Sequence, residues 1–226
     1  MAGVCRDPGA DVVVAIDGPS GVGKSTVARA VAAALGIPHL DTGAYYRLAT
    51  LVSFEAGVDP GDEAGILRAL DGIRVDFGGD GRMLLGGEDV ADRIRGPEVT
   101  AAVSQVSAHA AVRRAIVAMQ RAWVSDHGGD AVVEGRDIGT VVFPEAPVKV
   151  YLTASVAVRA DRRAGDPEAA GLTRDELIAQ MTRRDHLDSS RANSPLRPAA
   201  DAVVVDTSHL TAAAVVRQVL DLVGRV

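Results

Sequence analysis

Residues 15–29 read AIDGPSGVGKSTVAR. Gly18, Gly23, Lys24 and Ser25 satisfy the spacing G-x-x-x-x-G-K-[ST], and the flanking structure decides whether such a match carries meaning. The β-branched run DVVVAI (11–16) reads as a buried strand, and residues 24–35 read as a helix that stops at Gly36. A strand, a glycine-rich turn and a helix in that order direct backbone N–H groups inward and set a helix N-terminus behind them, which makes a cradle for anions. The loop Gly18, Pro19, Ser20, Gly21, Val22, Gly23, continuing into Lys24, Ser25 and Thr26, is therefore expected to hold the phosphates of a nucleoside triphosphate. Lys24 can reach the β- and γ-phosphates, and the Ser25 hydroxyl is a candidate ligand for Mg²⁺.

Outward from this loop, short apolar runs alternate with helical patterns. IPHL (37–40), DAVVEG (130–135), VKVYL (148–152) and AVVVD (202–206) read as strands. Helices are expected over 45–55, 155–163, 174–184 and 211–222. Strands that are apolar throughout belong to a parallel sheet covered on both faces, so the fold expected is α/β, a sheet sandwiched between two helical layers. The stretch GIRVDFGGDGRMLLGGEDVADRIRG (72–96) breaks the rhythm with GGDG and GG turns and reads as a small antiparallel insert, followed by helices over 97–108 and 111–127. The domain organisation expected is a core of 12–71 and 109–226, an insert of 72–108, a lid at about 160–175 around GDPEAAGLT (165–173), and a flexible leader at 1–11.

Composition narrows the function. The net charge of the 226 residues is −6, which disfavours a duplex nucleic-acid binder. Aromatic residues are 3% against 47% hydrophobic, so the core is aliphatic. Cys5 is the single cysteine and allows no intrachain disulfide. The leader lacks an apolar signal core, and no apolar run approaches the roughly 20 residues of a membrane span; a cytoplasmic protein without membrane partners is expected. A GTP switch needs an N-K-x-D segment, but the only asparagine is Asn193, and serine follows it. A DNA-handling motor would be longer and more basic.

Four further groups carry anion-binding residues. In DTGAYYR (41–47), Thr42 can hydrogen-bond a phosphate and Arg47 can pair with it; an ordinary helix cap with an exposed arginine is the alternative. In EGRDIG (134–139), Arg136 and Asp137 follow a buried strand and point into the crevice or form a structural ion pair. In RRDHLDSSR (183–191), spacings of four and three put Arg184, Asp188 and Arg191 on one helical face, functional or merely solvated. Arg159, Arg162 and Arg163 precede the Gly/Pro-rich loop, where they close over phosphates or coat a surface. Taken together with the loop, these groups describe two phosphate sites facing one cleft, the arrangement phosphoryl transfer requires.

Over nearly the whole chain the sequence resembles the bacterial cytidylate kinase family of nucleoside-monophosphate kinases. The motifs that carry the resemblance are IDGPSGVGKST (16–26), LDTGAYYR (40–47), SQVS (104–107), EGRDIGTVVFPEAPVK (134–149) and RRDHLDSSRANSPLRPAADAVVVDTS (183–208). The resemblance implies ATP with Mg²⁺ as donor and CMP and dCMP as acceptors, in pyrimidine nucleotide metabolism; a monomer is expected. It implies that Thr42, Tyr46, Arg47 and Arg136 hold the CMP phosphate end, that Ser104, Arg113 and Asp137 read the cytosine, and that Asp188 addresses the sugar. Arg184 and Arg191 would bridge to the transferring phosphoryl group. Arg162 would come from the lid, with Arg159 and Arg163 as alternatives. Ser25 stands where some relatives have glycine, so its role at the metal is not a family-wide expectation.

Overall fold

A computed structural model of the chain describes residues 12–78, 81–166 and 169–226. The 1–11 leader with Cys5, part of the GGDG turn and part of the 165–173 loop lie outside the described residues. The first elements are β1 (Val13–Asp17), α1 (Lys24–Leu35), β2 (His39–Asp41), α2 (Thr42–Glu55), α3 (Glu63–Leu70), β3 (Val75–Phe77), β4 (Met83–Leu85), β5 (Glu88–Asp89) and α4 (Pro97–Val106). They continue with α5 (Ala110–Asp126), β6 (Ala131–Gly135), β7 (Val148–Thr153), α6 (Val156–Arg163), α7 (Arg174–Ser189), β8 (Val203–Asp206) and α8 (Ala212–Val223).

The main sheet has the order β2-β6-β1-β7-β8, and every neighbouring pair is parallel. Successive β1 residues serve opposite faces. Val13 and Ala15 pack with α2 and α5, whereas Val14 and Ile16 pack with α1 and α8. Both faces are covered, so the strand has no polar side, and burying a residue such as Ile16 contributes about 1.5–3 kcal/mol. The edge strand β8 departs from that pattern: Val203 and Val204 are exposed. The insert is a three-stranded antiparallel sheet, β3-β4-β5. Its Phe77 sits 5.9 Å from the Tyr45 ring and 5.5 Å from Trp123, which spends three of the chain's few aromatic residues on the junction with α2 and α5. α6 and α7 share a separate small apolar cluster of Ala160, Ala169, Leu177 and Met181.

Two helix boundaries and one unanticipated helix correct the sequence reading. α2 starts at Thr42, not 45, because the Asp41 carboxylate accepts from the Gly43 N–H at 2.9 Å and caps the helix earlier. α3 was not anticipated; its eight residues are too few for a clear periodicity, and Asp62 caps it. α7, opened by a Thr173–Glu176 capping box, runs past 184 to Ser189. Arg184 and Asp188 therefore share a helix, but Arg191 lies beyond the cap at Ser190 and is not on the same helical face.

Candidate active site

The phosphate loop leaves the carboxyl end of β1, at the sheet centre. Gly18 has φ +149°, and a Cβ there would meet the Leu152 carbonyl oxygen at 2.2 Å, so only glycine fits. No side chain caps α1, whose N-cap is Gly23; its first-turn N–H groups stay available to an anion. The Lys24 ammonium donates to the Pro19 carbonyl at 2.8 Å, folded back along the loop. Burial, reinforced by the charge of Arg136, pulls its pKa down to about 7.

Three carboxylates stand around this lysine, at the ends of the strands flanking the loop. Asp17 accepts from the N–H groups of Ile138 and Gly139, both at 2.8 Å, and thereby ties β1 to the turn after β6. Burial raises its pKa to about 6 against those two bonds. Glu134 accepts from the Ser25 hydroxyl at 2.9 Å and pairs with His39 Nε2 at 2.9 Å. Burial pushes Glu134 upward, but the His39 bond and the Lys24 charge outweigh it and hold the carboxyl below its usual range. Asp41 is pushed up by burial and by the neighbouring Glu134 charge. Sequence reasoning singled out neither Asp17 nor Glu134. Their position as the acids closing β1 and its neighbour β6 was the available signal.

Beyond the loop lies a web of arginines and carboxylates. Arg136 donates to the Gly18 carbonyl at 3.0 Å and pairs through Nε with Asp188 at 3.2 Å. The other Asp188 oxygen takes Arg191, so this carboxylate, 1% exposed, is committed to two guanidinium groups. Arg113 pairs with Asp137 at 2.5 Å and lies 4.9 Å over the Tyr46 ring. The Tyr46 hydroxyl and Arg184 Nε are buried without a protein partner. Burial and then Arg136 lower the Arg184 pKa to about 10. Arg47 reaches the Ile94 carbonyl and the Thr100 hydroxyl, at 3.2 and 2.9 Å. Thr42 differs from the expectation. Its hydroxyl donates to the Glu134 carbonyl at 2.7 Å and fixes the strand end instead of pointing a proton into the cleft.

The structure separates the three arginines of α6. Arg159 is buried and bonded to Ala154 O, to Ser20 O and, at 2.6 Å, to Asp185, which makes it a brace beneath the loop. Arg162 grips Thr207 through its hydroxyl and its carbonyl, at 2.9 and 2.6 Å. Arg163 reaches the Ser20 hydroxyl at 3.1 Å. Thr207 lines the cleft and Asp185 holds Arg159; the sequence singled out neither.

Most of these residues, though not Asp17, His39, Arg159 or Asp185, line one cleft of about 1490 Å³, larger than the roughly 300–1000 Å³ typical of a site for one small ligand. Its walls include Ser20 to Thr26, Thr42, Tyr46, Arg47, Ser104, Arg113, Arg136, Asp137, Arg162, Arg184, Asp188 and Arg191; of the residues expected from sequence, Gly18 and Pro19 stand behind it. Among the described residues no helix is long and apolar enough to cross a membrane. No group of three or more His, Cys, Asp or Glu residues among them is placed to hold a metal by protein ligands alone.

A parallel sheet with a phosphate loop at its centre, sharing one cleft with an arginine-rich second anion site, defines a P-loop phosphotransferase. The family model for cytidylate kinase matches residues 14–225. A cytidylate kinase of Mycobacterium avium (strain 104) is 56% identical over 219 residues, covering 95% of this chain and 96% of the relative. One from Corynebacterium efficiens is 49% identical over 220 residues, covering 95% of each. The chain belongs to the cytidylate kinase family. An uncharacterized protein from Eubacterium ventriosum ATCC 27560, of known structure, shares the fold at a TM-score of 0.54 and 12% identity, over 96% of this chain and 100% of that one.

Proposed function

We propose that the chain, as a monomer in the cytoplasm, transfers the γ-phosphoryl group of ATP to a phosphate oxygen of CMP or dCMP, yielding ADP and CDP or dCDP. The observation that carries this reading is the double engagement of Arg136, which donates to the donor loop at Gly18 and pairs with Asp188 on the acceptor side. A guanidinium held there lies between the two nucleotides. The acceptor oxygen forms a bond to the γ-phosphorus, the bond from that phosphorus to the β–γ bridging oxygen breaks, and ADP leaves with the electron pair. Lys24, Arg136, Arg184 and Arg191 neutralise the charge on the moving group, and little covalent chemistry is left to the protein.

On the acceptor side, Ser104, Arg113 and Asp137 read the base. Asp137 accepts from the cytosine amino group, and Arg113 or Ser104 donates to the ring acceptors. Uracil would set a carbonyl against the Asp137 carboxylate, a mismatch that excludes it. Arg47 and Tyr46 face the phosphate end, and Asp188 meets the sugar while aligning its two arginines. Residues 72–108 form the acceptor-binding part and residues around 160–175 the lid, with Arg162 closing over the donor. Ser25 and Glu134 present hard oxygen donors 2.9 Å apart at the loop mouth, which fits Mg²⁺, an ion that keeps several waters and takes substrate phosphates as ligands. The bound ion would supply charge neutralisation at the β- and γ-phosphates.

A coupled ADP-release assay across nucleoside monophosphates tests the reading. Turnover with CMP and dCMP, with UMP far behind, is expected. Turnover with AMP or UMP and none with CMP overturns it.

A further inference from the structure

Ser107 ends α4 as its C-cap and is buried at the back of the cleft. Three strands of the acceptor network meet on it. Its hydroxyl donates to the Ser104 carbonyl at 3.1 Å. The same oxygen accepts from Arg191 Nη2 at 2.9 Å. Its backbone carbonyl accepts from Arg113 Nη1 at 3.1 Å. A hydroxyl has one proton and two acceptor lone pairs. With the proton spent on Ser104, a lone pair is left facing Arg191.

Arg191 needs such a partner. It follows the end of α7 and has no helical backbone of its own to fix it. Asp188, in the last turn of α7, anchors it from one side. The hydrogen bond to Ser107 comes from a different element, on the opposite wall. The other charged groups around Arg191 are Arg113 and Arg136, which repel it, and Asp137, which is already paired with Arg113. Arg191 Nη2 thus donates both to Asp188 and to Ser107, and the Ser107 bond adds a second direction, from a different element, to the one Asp188 sets.

We propose that Ser107 is a positioning residue for Arg191, coupling the α4 wall that carries Ser104 to the arginine at the phosphoryl group. Resting on the acceptor-site reading above, this gives one hydroxyl two tasks: it senses where α4 sits and aims Arg191 accordingly. The expectation is a kcat defect with little change in KM, because Ser104, Arg113 and Asp137 all remain when the hydroxyl is removed.

The test is a double-mutant cycle with CMP as acceptor. Ser107→Ala is expected to lower kcat about ten-fold or more, the size associated with a lost hydrogen bond to a charged group, and to move KM for CMP and ATP by no more than about two-fold. Ser107→Thr, which keeps the hydroxyl, restores kcat. Arg191→Ala lowers kcat further, and adding Ser107→Ala to it costs nothing more, since the group being aimed is gone. If Ser107→Ala leaves kcat unchanged, or if the two defects multiply, or if threonine fails to rescue, Ser107 is packing alone and the proposal fails while the acceptor site stands. If Arg191→Ala itself leaves CMP turnover intact, the reading of the acceptor site fails and takes the proposal with it.

Discussion

Between Gly18 and Lys24 the donor side of the cleft offers main-chain N–H groups and one lysine, set by a strand end and an uncapped helix. Between Arg47 and Arg191 the proposed acceptor side offers side chains, which α2, α4, α5, α7 and the turn after β6 bring together from across the chain. The loop is preformed and no side chain caps α1, so an entering anion has to draw only Lys24 from the Pro19 carbonyl and Ser25 from Glu134. The acceptor groups hold one another: Arg113 has Asp137, while Arg136 and Arg191 share Asp188. On the proposed reading, a substrate exchanges these partners one by one. A backbone site is therefore stiff and tolerant of chemistry, whereas a side-chain site is selective and sensitive to each member.

The sharpest way to break this contrast is at its one donor side chain. Lys24→Ala should reduce turnover by about 10³-fold or more, with the circular dichroism of the fold retained because the Lys24 hydrogen bond to Pro19 lies within the loop; turnover like the parent would undo the donor assignment. Arg136→Ala comes next. Removing the residue that spans both sides should cost about 10²–10³-fold in kcat/KM, and a loss confined to KM for CMP would place Arg136 on the acceptor side alone. Asp137→Asn should be milder and selective. It keeps the volume, lets the side chain donate, and should narrow the CMP-over-UMP preference by about ten-fold or more, measured as a ratio of kcat/KM values. The smallest effect is a proton. With Lys24 at about 7 in the free protein, it is mostly neutral at pH 8, and bound phosphates restore its charge. ATP binding should then take up close to one proton at about pH 8 and almost none at about pH 6, read by calorimetry in buffers of different ionisation enthalpy. Lys24→Met should abolish the uptake.

Legibility in the sequence follows the same division. The loop and α1 were readable to the residue, because Gly23, Lys24 and Gly36 state their backbone roles locally. The parallel sheet was readable from apolar strands, and β8 departed from the pattern because an edge strand is covered on fewer sides. The proposed acceptor residues came through resemblance to a family; spacing alone left each group open. What stayed hidden depends on which strands become neighbours. Glu134 meets Ser25 only because β6 lies beside β1, and Ser107 meets Arg191 only because α4 faces the end of α7. Arg159, Arg162 and Arg163 look alike in sequence and were told apart by burial and partners. The spacing rule failed at Arg191 because the helix ended two residues before it.

The small cluster of Ala160, Ala169, Leu177 and Met181 joins α6 and α7 to each other, and α6 touches the large cluster on its side of the sheet through Val158. Sub-global opening follows local burial, so hydrogen exchange in these two helices should report a lower opening free energy than in β1 and β6. On that expectation the segment bearing Arg162 and Arg184 would loosen and re-form while the strands that carry the phosphate loop stay shut, a division of mechanical labour written into where the apolar side chains were placed.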